Sequence, residues 1–237
     1  MAFDIPREQM VMVDSVEVRL DPSPHPFELQ HEEAIASNWT TEIAAQPALF
    51  NGRMAMLSEL SYRDGALKGR CHEVNYATFL YWKRNRDNVA EHAFAHPALV
   101  SRDNALIAIR MGPRTANPGA VYFAAGSFEA DDFRDGLCDI LFNMAREVRE
   151  ETGLDISLAK QEGRYALFST GKSTAIFRRY WLDADASDIE RSISDFVASE
   201  EDPEIEGPVV IRGPHDLPVG LRPHMRAFLQ WHFADMS

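Results

Sequence analysis

The chain is poor in positive charge: 24 lysines and arginines stand against 37 aspartates and glutamates, a formal net charge of -13. Such a balance leaves no basic face for the phosphate backbone of a nucleic acid. It also sets the chain against anionic lipid surfaces. A phosphate-bearing small molecule then requires bound metal or clustered arginines to reverse the local field. Cysteine is scarce as well. Cys71 and Cys138 are the only two in 237 residues, which reads as ordinary reduced thiols and excludes a disulfide framework. No apolar run approaches a membrane span. The stretch "MAFDIPREQM" lacks the apolar core of a signal peptide, and a cytoplasmic location is expected. The eight histidines show no metal-site spacing, so zinc is not suggested. "TGKST" (Thr170 to Thr174) mimics the end of a phosphate-binding loop, but the preceding glycine is missing at the needed spacing. Internal repeats and low-complexity tracts are absent too.

Apolar residues are plentiful, at 45% of the chain, enough core for one large domain or two smaller ones. Val16, Val18 and Leu20 alternate with charged residues, as in a strand with one buried face. Ile35, Trp39 and Ile43 recur every four residues in a helix expected over 28–46, which Pro47 ends. "MAMLSELSY", a turn at "RDG" and "ALKGRCHEV" predict a hairpin, followed by a helix near "NYATFLYWKRNR". The character changes near His96–Pro97, which is taken as a boundary between units 1–96 and 97–237. Beyond it come a buried strand at "ALIAI", a loop at "GPRTANPG" and a strand at "AVYFAAGSFE". A long helix is then expected over "GLCDILFNMAREVREET", with Cys138 inside it. Strands at "RYALFST" and "STAIFRRYWL" follow, then a helix begun by a Ser187–Glu190 capping box. A strand at "PVVIR" and a C-terminal helix at "LRPHMRAFLQWHF" complete the order. Both halves mix helix and strand, so the fold class is α/β (α+β).

On a helical wheel Leu137, Ile140, Leu141, Met144 and Val148 share a core-facing stripe. Glu147, Glu150 and Glu151 fill the adjoining stripe, with Arg146 and Arg149 away from it. Like charges at this spacing oppose one another, and near a helix C-terminus they also oppose the macrodipole. A solvated acidic face is the plain alternative. A wall of carboxylates beside a core is what a hard, oxygen-seeking dication such as Mg²⁺ wants.

The stretch "REVREETGL" (Arg146 to Leu154) resembles the second half of the Nudix signature, with every specified position filled. The first half is departed from. Gly126 has Asp132 six positions on, where the family carries glutamate, and the spacer to Arg146 is longer by an apparent six residues. Flanking elements follow in Nudix order. A leading segment of about a hundred residues and a long signature spacer are also similar to the Nudix group that hydrolyses UDP-sugars.

The resemblance implies a Nudix α/β/α sandwich with a mixed sheet over 97–237, preceded by a smaller α+β domain over 1–96 that shapes the substrate. It implies a pyrophosphohydrolase using Mg²⁺ or Mn²⁺ on a nucleoside diphosphate linked to a further group. UDP-sugar to UMP and sugar phosphate is the first choice. ADP-ribose, dinucleotides and coenzyme A derivatives are alternatives, as is a nucleotide-binding module without catalysis. The partner expected is a nucleotide-containing small molecule, without nucleic acid or membrane, in a homodimer as is frequent in the family. Carried over by position, Glu147, Glu150 and Glu151 are metal ligands and Gly126 adds its carbonyl. Arg146 orients a glutamate by a salt bridge, a role its fork suits. Glu129 and Asp132 lie in the loop capping the site, as substrate contacts, as acids behind the ligands or as solvated residues. Arg178 and Arg179 face opposite sides of a strand, and Arg178 is the one expected in the cleft. The general base stays open between a helix glutamate and the acidic run Glu200, Glu201, Asp202, Glu204 and Glu206. "YWKRNR" (Tyr81 to Arg86) either touches a nucleotide or packs its aromatics inward.

Overall fold

A computed structural model describes residues 2–47, 49–85 and 89–235. Short strands β1 (Phe3–Asp4) and β2 (Met10–Val13) lead into β3 (Ser15–Asp21), whose Val18 is buried. Helix α1 (Pro26–Ala45) begins on His25, whose ring accepts from the Phe27 N–H at 3.0 Å. Strands β4 (Arg53–Arg63) and β5 (Ala66–Asn75) form the expected hairpin, with Asp64 and Gly65 at positive φ in its turn. Helix α2 (Tyr76–Asn85) follows. Then come β6 (His92–Val100), β7 (Leu106–Met111), β8 (Val121–Tyr122), β9 (Phe133–Arg134) and β10 (Leu137–Cys138). Helix α3 (Ile140–Thr152) carries the glutamates. After β11 (Lys160–Gln161), β12 (Tyr165–Ser169) and β13 (Ser173–Trp181) stand α4 (Ala186–Ser199), β14 (Ile205–Ile211) and α5 (Pro223–Asp235).

The strands form two mixed sheets. One runs β1-β4-β5-β3-β10-β9, the other β14-β7-β6-β13-β12-β2, with β11 on β13 and β8 on β7. Residue 96, the position at which the composition changes, lies inside β6. The sheets exchange strands across that position: β2 joins the second sheet and β9–β10 join the first. One apolar core runs through both, from Ile5 to Leu229. A smaller cluster of Phe27, Ile35, Met54, Met56 and Trp82 lies around α1 and α2.

Strand alternation assigns the two faces of the second sheet. Tyr180 on β13 reaches Met144 of α3 with its hydroxyl, and Phe196 of α4 packs at Gly153 just beyond α3. On the other face Phe177 stacks on Phe228 of α5 at 4.5 Å between centroids. Helices thus cover both faces, an α/β/α arrangement around a mixed sheet. Strands β6 and β7 pair only at Leu99–Val100, and beyond that they part. The segment 123–128 enters the opening, with Ser127 bridging Phe94 and the Phe128 carbonyl accepting from the Ala55 N–H at 2.7 Å. The parting delivers Gly126 to the side of α3.

Three local expectations need correction. Cys138 is in a strand, not in the helix. Asp135 and Gly136 both take positive φ and close a two-residue β9–β10 hairpin, the turn an Asp-Gly pair favours. The helix starts only at Ile140, where Asp139 accepts from the Phe142 N–H at 3.0 Å. Leu141 consequently falls outside the core stripe, 36% exposed beside Phe142, over which Arg134 lies. The Ser187–Glu190 capping box does not form. Helix α4 starts at Ala186, whose N–H is capped from a distance by Asp103 at 2.8 Å, while Asp185 is drawn to Arg102.

Candidate active site

The site is built on α3, whose last turn is closed by Gly153 at φ 70°. The three glutamates do not form a uniform wall. Glu147 and Glu151 are each only 7% exposed, whereas the Glu150 side chain is 57% exposed. The Glu151 carboxylate accepts from the Ala125 N–H at 3.0 Å. Glu147 lies against the backbone of Gly126. A Cβ at 126 would fall within 2.6 Å of the Glu147 carboxyl carbon, so only glycine admits this approach. The motif helix and the glycine of the long loop therefore meet.

Arg146 corrects its place on the wheel. Arg146 and Glu150 are i, i+4 neighbours on one face, and the guanidinium pairs with Glu147 at 2.8 Å and Glu150 at 2.9 Å. It also reaches Asp132 at 3.1 Å and 3.3 Å. Asp132 is fully buried and accepts further from Asn143 Nδ2 and from the Glu129 N–H, both at 2.9 Å. Asp132 therefore anchors the extended loop onto α3 and holds Arg146. Its carboxylate is taken up by the protein rather than presented to a substrate.

Burial dominates the charge state here. Desolvation pushes Glu147 up to about 8 against the pull of Arg146. Glu151 is raised well above the usual carboxylate range by burial, then by the charges of Glu147 and Glu204. Glu129 is raised by burial too. Arg146 is raised: burial opposes its charge, and Asp132, Glu147 and Glu150 outweigh that. Two dry carboxylates side by side, with one backbone donor between them, form an all-oxygen set whose repulsion a hard dication relieves. Among the described residues no three His, Cys, Asp or Glu side chains are already gathered as a ligand cluster, because Arg146 holds Glu150 outward.

Arg178 is not joined to this group. Its Nε donates to the Glu162 carbonyl at 2.7 Å, its Nη1 to the Tyr165 hydroxyl at 3.1 Å, and it stacks on the Tyr165 ring. Arg179, on the opposite face, is held by Glu162 and Asp235. In "YWKRNR", Trp82 is buried with its indole N–H on the Ala90 carbonyl, and Arg84 pairs with Glu42. Those aromatics pack inward, and Arg86 lies outside the described residues. The residues missed by sequence are Asn143 and Tyr122; Glu204 belongs to the acidic run already named for the general base. Asn143 is fully buried mid-helix, and Tyr122 lies within the field of Glu151 and Glu204. A buried amide one turn before a motif arginine is a weak signal; Tyr122 has none.

The stretch that resembles the second half of the Nudix signature runs along α3 from Arg146 to Thr152, with Gly153 as the helix cap and Leu154 just beyond. Similar solved structures include the protein DR0079 from Deinococcus radiodurans, at 15% identity and a TM-score of 0.41, covering 70% of this chain and 85% of that one. The MutT protein from Methanosarcina mazei Go1 matches at 14% identity and a TM-score of 0.41, covering 62% and 96%. The E. coli ORF135 protein matches at 16% identity and a TM-score of 0.36, covering 62% and 91%. No family model and no curated protein matches the chain.

Proposed function

We propose that this protein is a divalent-metal-dependent Nudix-type hydrolase of a nucleoside diphosphate linked to a further group. UDP-sugars are the first substrates to try. The observation that carries this reading is the meeting of the Ala125–Gly126 backbone with two buried carboxylates, Gly126 against Glu147 and the Ala125 N–H on Glu151. Glu147, Glu151 and the Gly126 carbonyl would hold Mg²⁺ or Mn²⁺, with Glu150 joining on release from Arg146. Bound there, the ion supplies neutralisation of the diphosphate and a more acidic water. Arg146 fixes the Glu147 carboxylate, and Asp132 fixes Arg146. Of the acidic run, Glu204 is the residue whose charge acts on Glu151; we assign it to accept the proton of the attacking water. Phosphoryl transfer then needs little beyond positioning and charge stabilisation. Residues 1–96 are proposed as the unit that shapes the substrate, with 97–237 as the hydrolase unit.

The test is incubation with Mg²⁺ and a panel of UDP-sugars, ADP-ribose, dinucleotides and coenzyme A, with products separated by chromatography. The expected result is a nucleoside monophosphate and a phosphorylated partner from at least one class, with Glu151→Gln slower by about a hundredfold or more. Nucleotide binding without cleavage of any compound under Mg²⁺ or Mn²⁺ would replace this reading with that of a binding module.

A further inference from the structure

A groove of about 540 Å³ adjoins the glutamate site at Ser127, the neighbour of Gly126, and is lined as well by the leading half of the chain. That volume suits a small organic ligand. Its inner end is Ser127, next to Gly126, with Glu129 and Glu204. Its outer end has different chemistry, with Phe50, Tyr76, Met54 and Arg114 on its walls. Phe50 is 83% exposed. Its ring is seated on Gly52, where an added Cβ would stand 3.1 Å from the Phe50 ring. The glycine lets the ring lie down against the backbone and leaves the rest of it open to a ligand. Arg114 pairs with Asp202 across the rim, and both side chains are more than 70% exposed (73% and 72%). An ion pair so exposed is weakly held, and its arginine is free to exchange a carboxylate for a phosphate.

Resting on the hydrolase reading above, we infer that this groove takes the nucleoside end of the substrate. The base stacks on Phe50 beside Tyr76, and Arg114 leaves Asp202 for the phosphate nearest the ribose. A base offers a flat π-face and tolerates an aromatic platform whatever its identity. Thioethers of Met54 and Met111 supply the adaptable apolar flank. The leading half would then select for a nucleoside while the α3 half acts on the diphosphate.

The test titrates UMP, AMP and ribose 5-phosphate, with Mg²⁺ present, into the full chain by isothermal calorimetry, using the wild type, Phe50→Ala, Arg114→Ala and Glu151→Gln. Both nucleotides are expected to bind at least tenfold more tightly than ribose 5-phosphate. Phe50→Ala is expected to weaken them about tenfold while leaving the melting temperature unchanged. Arg114→Ala is expected to weaken UMP and AMP by the same factor, and Glu151→Gln to keep base-dependent binding. In turnover, Phe50→Ala raises KM and leaves kcat in place. Wild-type affinity in both groove variants, or equal affinity for ribose 5-phosphate, overturns the inference. Cleavage of diphosphate compounds with KM untouched by Phe50→Ala leaves the hydrolase reading intact and removes the groove. Phe50-dependent binding without any cleavage does the reverse.

Discussion

Replacing Asp132 tests whether the long loop is an anchored part of the site or an ornament on it. Four donors converge on this fully buried carboxylate: the Glu129 N–H, Asn143 Nδ2 and two nitrogens of Arg146, at 2.9–3.3 Å. Asp132→Ala removes every acceptor at once. It strands a buried amide and leaves Arg146 to two glutamates. Breaking a buried, hydrogen-bonded charge pair from one side costs about 3–5 kcal/mol. In a chain of this size each kcal/mol moves the midpoint by about 2–4 °C, so a fall of about 6–20 °C is expected. Asp132→Asn keeps the shape and one acceptor oxygen but turns an amide donor toward other donors, and should fall by roughly half as much. Thermal unfolding followed by circular dichroism, in EDTA so that metal linkage does not enter, checks both. A shift under 2 °C in the alanine variant would refute the reasoning. It would mean that the loop is not seated on α3 and that Arg146 takes its position from the glutamates alone.

Gly126→Ala should abolish turnover while shifting the midpoint only a few degrees, because the new methyl displaces the Glu147 carboxylate; activity above about a tenth of wild type would show that the close approach is dispensable. Glu204→Gln should lower kcat by about 10²–10⁴ with KM little changed, read by steady-state kinetics, whereas Glu206→Gln, outside the groove and beside Arg110, should not. Stability should fall on mild acidification. His25, His92, His224 and His232 are held down to about 4 by burial, and burial with the neighbouring His224 holds His96 well below the usual imidazole range. The native state thus binds fewer protons than the unfolded chain between about pH 6.5 and 4, and stability is full above that window and lost on descending through it. Glu91, Glu129, Glu147 and Glu151, all raised by burial when folded, oppose this, since their contribution grows as pH falls toward 4.5; five histidines against four carboxylates keep the net sign a loss. A midpoint at pH 5 equal to or above that at pH 7.5 would refute this sign.

The parts legible in the sequence are those whose partners lie close along the chain. The β4–β5 hairpin, the α3 glutamates and the order of the later strands follow from local period and turn chemistry. The β9–β10 hairpin was legible too, in "RDGL", but the apolar stripe of the following helix extends by chance across Leu137 and conceals the Asp-Gly turn. Strand β2 was not legible, because its only warrant is pairing with β12, more than 150 residues away.

The site divides in the same way, and the division has a physical cause. Residues at i, i+3 and i+4 are neighbours on a helix face, so "REVREETGL" announces that its glutamates stand together. The Asp132–Arg146 lock spans a loop with no required length, and its register emerges only when Asn143 and Glu129 are seen to share the same oxygen. The groove lies further still from any pattern. It needs the parting of β6 from β7 to admit Ser127, and a hairpin from the leading half to bring Phe50 and Met54 opposite Glu204. Position in the groove requires no periodicity of any of them. On the proposed hydrolase reading, the chemistry on the diphosphate is written in one short motif, while the choice of what the diphosphate is attached to is spread over segments that meet only after both sheets have formed.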